Sequence, residues 1–127
     1  MMTLEHITTE AITLLKNLIE APSFSGKETT TARLLETWFM MHHIPYQRVD
    51  NNIWATNKSF RESKPTLLLN SHHDTVRPNK GYTKDPFKAI IEEDKLYGLG
   101  SNDAGGCLLY TSPSPRDQRG SRMPSSA

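Results

Sequence analysis

Thr66-Leu67-Leu68-Leu69-Asn70-Ser71-His72-His73-Asp74-Thr75-Val76 is the stretch from which the fold is read. The leucine run after Pro65 and Thr66 predicts a short buried strand, and the His72-x-Asp74 pair falls where that strand should end. Side chains alternate across a strand, so His72 and Asp74 share one face and His73 takes the other. A histidine that binds metal through one nitrogen commonly gives its second N–H to a carboxylate, which fixes the tautomer and raises ligand basicity. His72 and Asp74 have the reach and the side for that arrangement. By itself the signal is weak, because a His-x-Asp at a strand end is more often a plain surface pair.

A second stretch changes the balance. Asp94-Lys95-Leu96-Tyr97-Gly98-Leu99-Gly100-Ser101-Asn102-Asp103-Ala104-Gly105-Gly106 starts as a short strand and breaks into a glycine-rich turn. Glycine permits positive φ and close backbone approach, so such a turn can aim one acidic side chain, Asp103, into a crowded site.

Together, Ser71-His72-His73-Asp74-Thr75-Val76 and Tyr97-Gly98-Leu99-Gly100-Ser101-Asn102-Asp103-Ala104-Gly105-Gly106 resemble the zinc-dependent amidohydrolase family of acetylornithine deacetylase, succinyl-diaminopimelate desuccinylase and the aminoacylases. That family's pattern is a small residue, His, any residue, Asp, Thr-Val, then Gly-x-Gly-x-x-Asp followed by glycines. The resemblance runs from about Leu4 to Leu108 and is nearest to the acetylornithine deacetylase-like branch. It implies that His72 is a ligand of one zinc and that Asp74, the candidate catalytic carboxylate, orients it. It further implies that Asp103 bridges two zincs, with Co or Mn as substitute ions, and that the Asp103–Ala104 peptide is cis. The implied reaction is hydrolysis of the amide of an N-acyl amino acid, with dipeptidase or aminopeptidase action as the alternative. The implied partners are a small N-acyl amino acid or short peptide and, for the parent enzyme, a second copy as a homodimer. The general base, a glutamate of a Glu-Glu pair beyond Asp103, and the remaining zinc ligands find no counterpart here. An inert piece of a hydrolase is therefore a competing reading.

Composition is compatible with this. Of the 127 residues, 35% are hydrophobic and 23% charged, with a net charge of +1. No basic stripe interleaved with aromatics points to nucleic acid. No apolar run approaches the ~18 residues of a membrane span, and the Met1–His6 start lacks the features of a signal peptide. The lone Cys107 excludes an internal disulfide and fits a reducing compartment, so the cytoplasm is expected.

Along the chain, Ile7, Ala11, Leu14, Leu15, Leu18 and Ile19 fall at helical spacing, with Thr8 or Thr9 expected as N-cap and Pro22 as the stop. Ser25-Gly26-Lys27-Glu28 reads as a capping box opening a second helix through Ala32, Leu35, Phe39 and His42, stopped by Ile44-Pro45. Pro22-Ser23-Phe24-Ser25-Gly26 reads either as a plain helix connection or as the family's loop between its first helices. Tyr46–Val49 and Asn52–Ala55 flank an Asp50-Asn51 turn and predict a hairpin; Lys88–Ile91 should pair with Lys95–Tyr97 across Glu92 to Asp94. The expected fold class is α/β, the N-terminal part of a zinc-peptidase-like catalytic domain over residues 1–109, with two helices followed by mixed-sheet strands. Residues 110–127 carry three prolines, five serines and three arginines against one aspartate, without apolar periodicity. They are expected to be a disordered tail resembling translated adapter or vector sequence, with a native basic tail as the alternative.

The remaining candidates have bland readings. His42-His43 should end a helix, where imidazole suits the dipole. His73 should be a spacer or substrate-side residue, Glu92-Glu93 a solvated turn, and Cys107 a small buried side chain. Gly98-x-Gly100 is not a dinucleotide fingerprint, because Asp103 at the third glycine position would repel a pyrophosphate.

Overall fold

The protein is described by a computed structural model over residues 3–106; the expectations for Cys107 and for 110–127 lie outside these residues. Helix α1 spans Leu4–Glu20 and helix α2 spans Thr29–Met41. Two antiparallel hairpins follow, β1 (Gln47–Val49) with β2 (Asn52–Trp54), and β3 (Ile90–Glu92) with β4 (Lys95–Tyr97). A single wide turn, Ser101–Gly106, comes last. Among the described residues no helix is long and apolar enough to cross a membrane.

Helix α1 starts earlier than its sequence pattern predicts. The cap is Thr3, whose hydroxyl accepts the His6 amide at 3.2 Å. Thr8 and Thr9, the expected caps, instead donate to the carbonyls of Leu4 and Glu5, one turn back, at 2.8 and 3.0 Å. A threonine hydroxyl has both options, and the local pattern does not decide between them. Ala21 is extended, as a residue before proline should be, and Pro22 ends the helix.

The capping box also fails. No side chain caps α2 at Glu28. The Glu28 carboxylate accepts the Gly26 amide at 2.5 Å, and the Ser25 hydroxyl is engaged elsewhere. At its other end α2 closes with paired bonds, Ile44 N to Phe39 O at 2.9 Å and His43 N to Met40 O at 3.1 Å, around His43 at φ 53. This is a Schellman stop with histidine in the left-handed position usually given to glycine. Pro45 merely follows it.

Both hairpins form as expected, with two-residue turns. Asp50 takes φ 54 in the first, and Glu93 and Asp94 take 49 and 61 in the second. Pairing in the second reaches Glu92↔Lys95, so Glu92 is a strand residue rather than part of the turn; its carboxylate meets Lys84 at 2.6 Å.

The organising strand does not form. Residues 66–74 join no ladder, and the segment makes one parallel bridge, Phe24↔Thr75. Leu67, Leu68 and Leu69 are 71%, 77% and 43% exposed. A strand needs a neighbour for its amides and a layer for its apolar face, and the two hairpins supply neither. The mixed sheet of the expectation is therefore replaced by two separate two-stranded hairpins. The small core lies instead where α1 buries Leu15 and Ile19 over the Gly98–Gly106 backbone. A Cβ on Gly98 would stand 2.3 Å from Ile19 Cγ2, so only glycine admits this approach.

A polar latch joins the helices. His42, stacked on Trp38 at 4.2 Å, places Nδ1 2.8 Å from the Trp38 carbonyl and Nε2 2.8 Å from Glu10 on α1. The Trp38 carbonyl, then Glu10, lift the imidazole above its ordinary 6.5, and the His42 bond pulls Glu10 below its ordinary 4.5. A raised histidine stabilises fully below its unfolded value and loses that contribution as pH climbs through its folded one. A depressed carboxylate stabilises above its unfolded value and loses it as pH falls through the folded one. The latch is thus strongest between the ordinary values of 4.5 and 6.5. The urea midpoint should decline on both sides of that window, and Glu10→Gln should flatten the profile.

Candidate functional site

The site is assembled by the loop after α1. The Thr75 amide donates to the Ser23 carbonyl at 2.7 Å, and the buried Ser23 hydroxyl donates to the His73 carbonyl at 2.9 Å. These bonds fix the backbone of 73–75 against Pro22–Gly26. From the other side comes the glycine turn, closed by Gly105 N to Gly100 O at 2.8 Å. Gly100 has φ +78, and a Cβ there would lie 2.6 Å from Thr75 Cγ2. The turn can approach Thr75 because that position has no side chain. Within it Asp103 leaves helical geometry, at φ −118 and ψ 98, and the Asp103–Ala104 peptide is cis, as the resemblance implies.

These constraints bring all of the sequence-predicted site residues together. His72 Nε2 lies 3.1 Å from Asp103 Oδ1, while Nδ1 lies 3.2 Å from Asp74 Oδ1 and 3.1 Å from the Asp74 carbonyl. One imidazole therefore faces a carboxylate at each nitrogen. The His72 and Asp103 side chains are 52% and 87% exposed, so the edge between them is open to a ligand. Partial desolvation pulls the His72 pKa down. The Asp74 carbonyl and the carboxylates of Asp103 and Asp74 outweigh it, and the net shift is upward. Asp74 is held below the usual carboxylate range, first by the Ser25 hydroxyl on Oδ2 and then by the charge of His72.

His73 turns the other way, as strand alternation predicts even though no strand forms. Its Nε2 meets the Asn51 carbonyl at 2.9 Å and its Nδ1 meets the Thr31 hydroxyl at 2.8 Å. A carbonyl only accepts, so Nε2 carries the proton, and the one Thr31 hydroxyl proton is shared between His73 Nδ1 and the Glu28 carbonyl, 3.0 Å away. The ring pins the β1–β2 turn and the start of α2 to the site backbone. The same turn is tied again where Asn51 Nδ2 donates to Glu28 at 3.0 Å. His73 thus has the spacer role of the two expected for it, with both ring nitrogens engaged by the protein. Ser23, Ser25, Thr31 and Asn51 are the partners that the motif did not indicate. The one sequence signal for any of them is the likeness of Pro22–Gly26 to the family loop.

Zinc takes imidazole at 2.0–2.1 Å and carboxylate at 2.0–2.2 Å, which in a tetrahedron puts two such ligand atoms about 3.4 Å apart. The Nε2–Oδ1 separation of 3.1 Å is near that value, and the donor types suit a borderline cation. Asp74 sits at the opposite ring nitrogen and cannot share an ion held at Nε2. Accordingly, among the described residues no group of three or more His, Cys, Asp or Glu side chains converges on one point. His72 and Asp103 fit as two ligands of a larger set.

No family model matches the chain. It is 35% identical over 118 residues to an acetylornithine deacetylase of Pectobacterium carotovorum, covering 84% of this chain and 31% of that protein. It is 32% identical over 113 residues to a succinyl-diaminopimelate desuccinylase of Gluconobacter oxydans, covering 83% and 29%. A desuccinylase of Stenotrophomonas maltophilia is 36% identical over 90 residues, covering 68% and 23%. The chain spans a third or less of the length of these curated relatives.

His73→Ala deletes two bonds and leaves the Asn51 carbonyl short of a partner, while Thr31 keeps its bond to the Glu28 carbonyl. It should lower unfolding free energy by about 1–3 kcal/mol. His72→Ala, on the open edge, should change it by no more than about 0.5–1 kcal/mol. Urea denaturation of both variants measures the contrast.

Proposed function

Since the chain belongs to the family of acetylornithine deacetylase and succinyl-diaminopimelate desuccinylase, we propose that it supplies part of a zinc site for hydrolysing the amide of an N-acyl amino acid. The observation that carries this reading is His72 held between Asp74 and Asp103, with Nε2 and Asp103 Oδ1 3.1 Å apart on an exposed edge.

In this reading His72 Nε2 and Asp103 hold the ion. Zinc, when bound, polarises an amide carbonyl and acidifies a water. Asp74 keeps a proton on Nδ1, leaving the Nε2 lone pair directed at Asp103. Asp103 brings negative charge to the same edge from a turn whose approach depends on Gly100. His73 and Ser23 hold the backbone on which both depend. The acyl group and amino acid are set by residues outside this constellation; the relatives' names point to acetyl or succinyl groups on diamino acids.

A catalytic zinc takes three protein ligands plus water, and a positioned acid–base group adds about 10²–10⁴ in rate. In this reading His72 and Asp103 are two candidate ligands, and among the described residues no glutamate is hydrogen-bonded to either. The 127-residue chain alone should therefore take up at most one zinc, weakly, with the affinity falling as acid protonates His72. It should not turn over N-acetylornithine or N-succinyl-diaminopimelate above the zinc background. Calorimetric titration of the chain and of His72→Ala tests the site, and uptake unchanged in the variant would refute it. Turnover by the chain itself, lost in His72→Ala, would show that the set is completed some other way, as by a second copy.

A further inference from the structure

The Ser25 hydroxyl has a use that the helix-cap reading conceals. It donates to Asp74 Oδ2, while Asp74 Oδ1 lies 3.2 Å from His72 Nδ1. The two carboxylate oxygens thus have different partners, one from a loop 49 residues away and one from the adjacent ring. Ser25 is well placed for this. It sits in a tight turn closed by Lys27 N to Phe24 O at 2.7 Å, with Gly26 at φ +83 as the turn requires. On one side the turn is anchored by the Ser23–Thr75 bond, and on the other by the Gly26 amide on Glu28 at 2.5 Å. The Asp74 side chain is 34% exposed, and a carboxylate's terminal torsion is broad, so without a second partner it would rotate. Of the influences that lower the Asp74 pKa, the Ser25 bond is the largest.

We propose that Ser25 is a positioning residue, whose hydroxyl locks Asp74 so that the His72 proton stays on Nδ1 and the Nε2 lone pair faces Asp103. Three acceptors compete for the one proton of neutral His72: the Asp74 carbonyl and carboxylate at Nδ1, and Asp103 at Nε2. Asp103 is the more exposed of the two carboxylates, so its pull is more strongly screened by water. Asp74 prevails while its oxygen is held in place. A freely rotating Asp74 would cede the proton to Nε2 for part of the time and block the edge that a cation needs. This inference rests on the functional reading only for the purpose of the lone pair; the tautomer can be read without any metal.

The test uses histidine-labelled full chain at alkaline pH, where the neutral ring dominates, and reads the two ring ¹⁵N shifts of His72. The wild-type chain should show the Nδ1–H form. Ser25→Ala should move the tautomer ratio toward Nε2–H by about tenfold, and Ser25→Thr should restore it. Zinc affinity of the same chains should fall about 10-fold in Ser25→Ala and recover in Ser25→Thr. The His42 and His73 resonances report whether the fold is intact; if Ser25→Ala loses them, Ser25→Cys repeats the test with a weaker donor of similar size. An unchanged His72 ratio overturns the proposal. So does a shift toward Nδ1–H, which would mean that Ser25 acts by withdrawing charge from Asp74. Collapse of the fold in both variants also overturns it, because Ser25 would then hold the loop rather than the carboxylate. A tautomer shift in a chain whose zinc uptake is unchanged by His72→Ala would sustain the role of Ser25 while sinking the functional reading.

Discussion

The bond from the Thr75 amide to the Ser23 carbonyl, 2.7 Å long, is the constraint from which the arrangement of the site follows. It joins the end of α1 to the histidine–aspartate segment across 52 residues of chain. With Thr75 fixed, His73 falls on the inner side, where Thr31 and Asn51 receive it, and His72 and Asp74 fall outward. The glycine turn then docks on the same residue, because Gly100 leaves room for the Thr75 methyl. This packing carries a cost. Thr75 Oγ1 is buried without a hydrogen-bond partner among the described residues, an arrangement worth about 1–3 kcal/mol against the fold. The close approach of methyl and glycine, and the aim of Asp103 that comes with it, are retained despite that cost.

Much of this was legible in the sequence wherever one residue's chemistry settles its place. Asp50-Asn51 marks a hairpin turn, with Asp50 at positive φ as a short polar residue tolerates, and the second hairpin forms as expected but with a turn of Glu93-Asp94 rather than Glu92 to Asp94. His72, Asp74 and Asp103 follow from two motifs, and period-two alternation alone separates His72 from His73. The failures share a different cause. Ser25 has the spacing of a cap and Thr8 and Thr9 have the composition of one, but a hydroxyl bonds to whatever tertiary structure brings near. For Ser25 that is Asp74, and for Thr8 and Thr9 it is the preceding turn of α1. Local pattern cannot rank a partner 49 residues away above one three residues away. The leucines at 67–69 fail for a related reason. Their pattern states a preference for burial, and burial also needs a covering layer, which the described residues do not provide.

The electrostatics of His72 link the folded chain to its chemistry. Asp74 and Asp103 flank one imidazole, and the charge of Asp74 is felt in turn at Glu28. Two acids around one base make a locus of negative potential that attracts a cation. At low pH that cation is the proton: the Asp74 carbonyl first, then the two carboxylates, raise the His72 pKa although partial desolvation opposes it. The fold manages the excess charge with hydrogen bonds: Gly26 and Asn51 on Glu28, and Ser25 on Asp74. Asp103 receives no comparable support and stays almost fully exposed, facing Nε2. The asymmetry has a consequence for binding. The buttressed carboxylates are fixed in place and serve to orient, while the unbuttressed one keeps its lone pairs free at the open edge. A cation arriving there finds one acid already committed to His72 Nδ1 and the other still available as a ligand. That division of labour between chemically identical groups is set by which of them the loop and the turn reach with N–H and O–H donors.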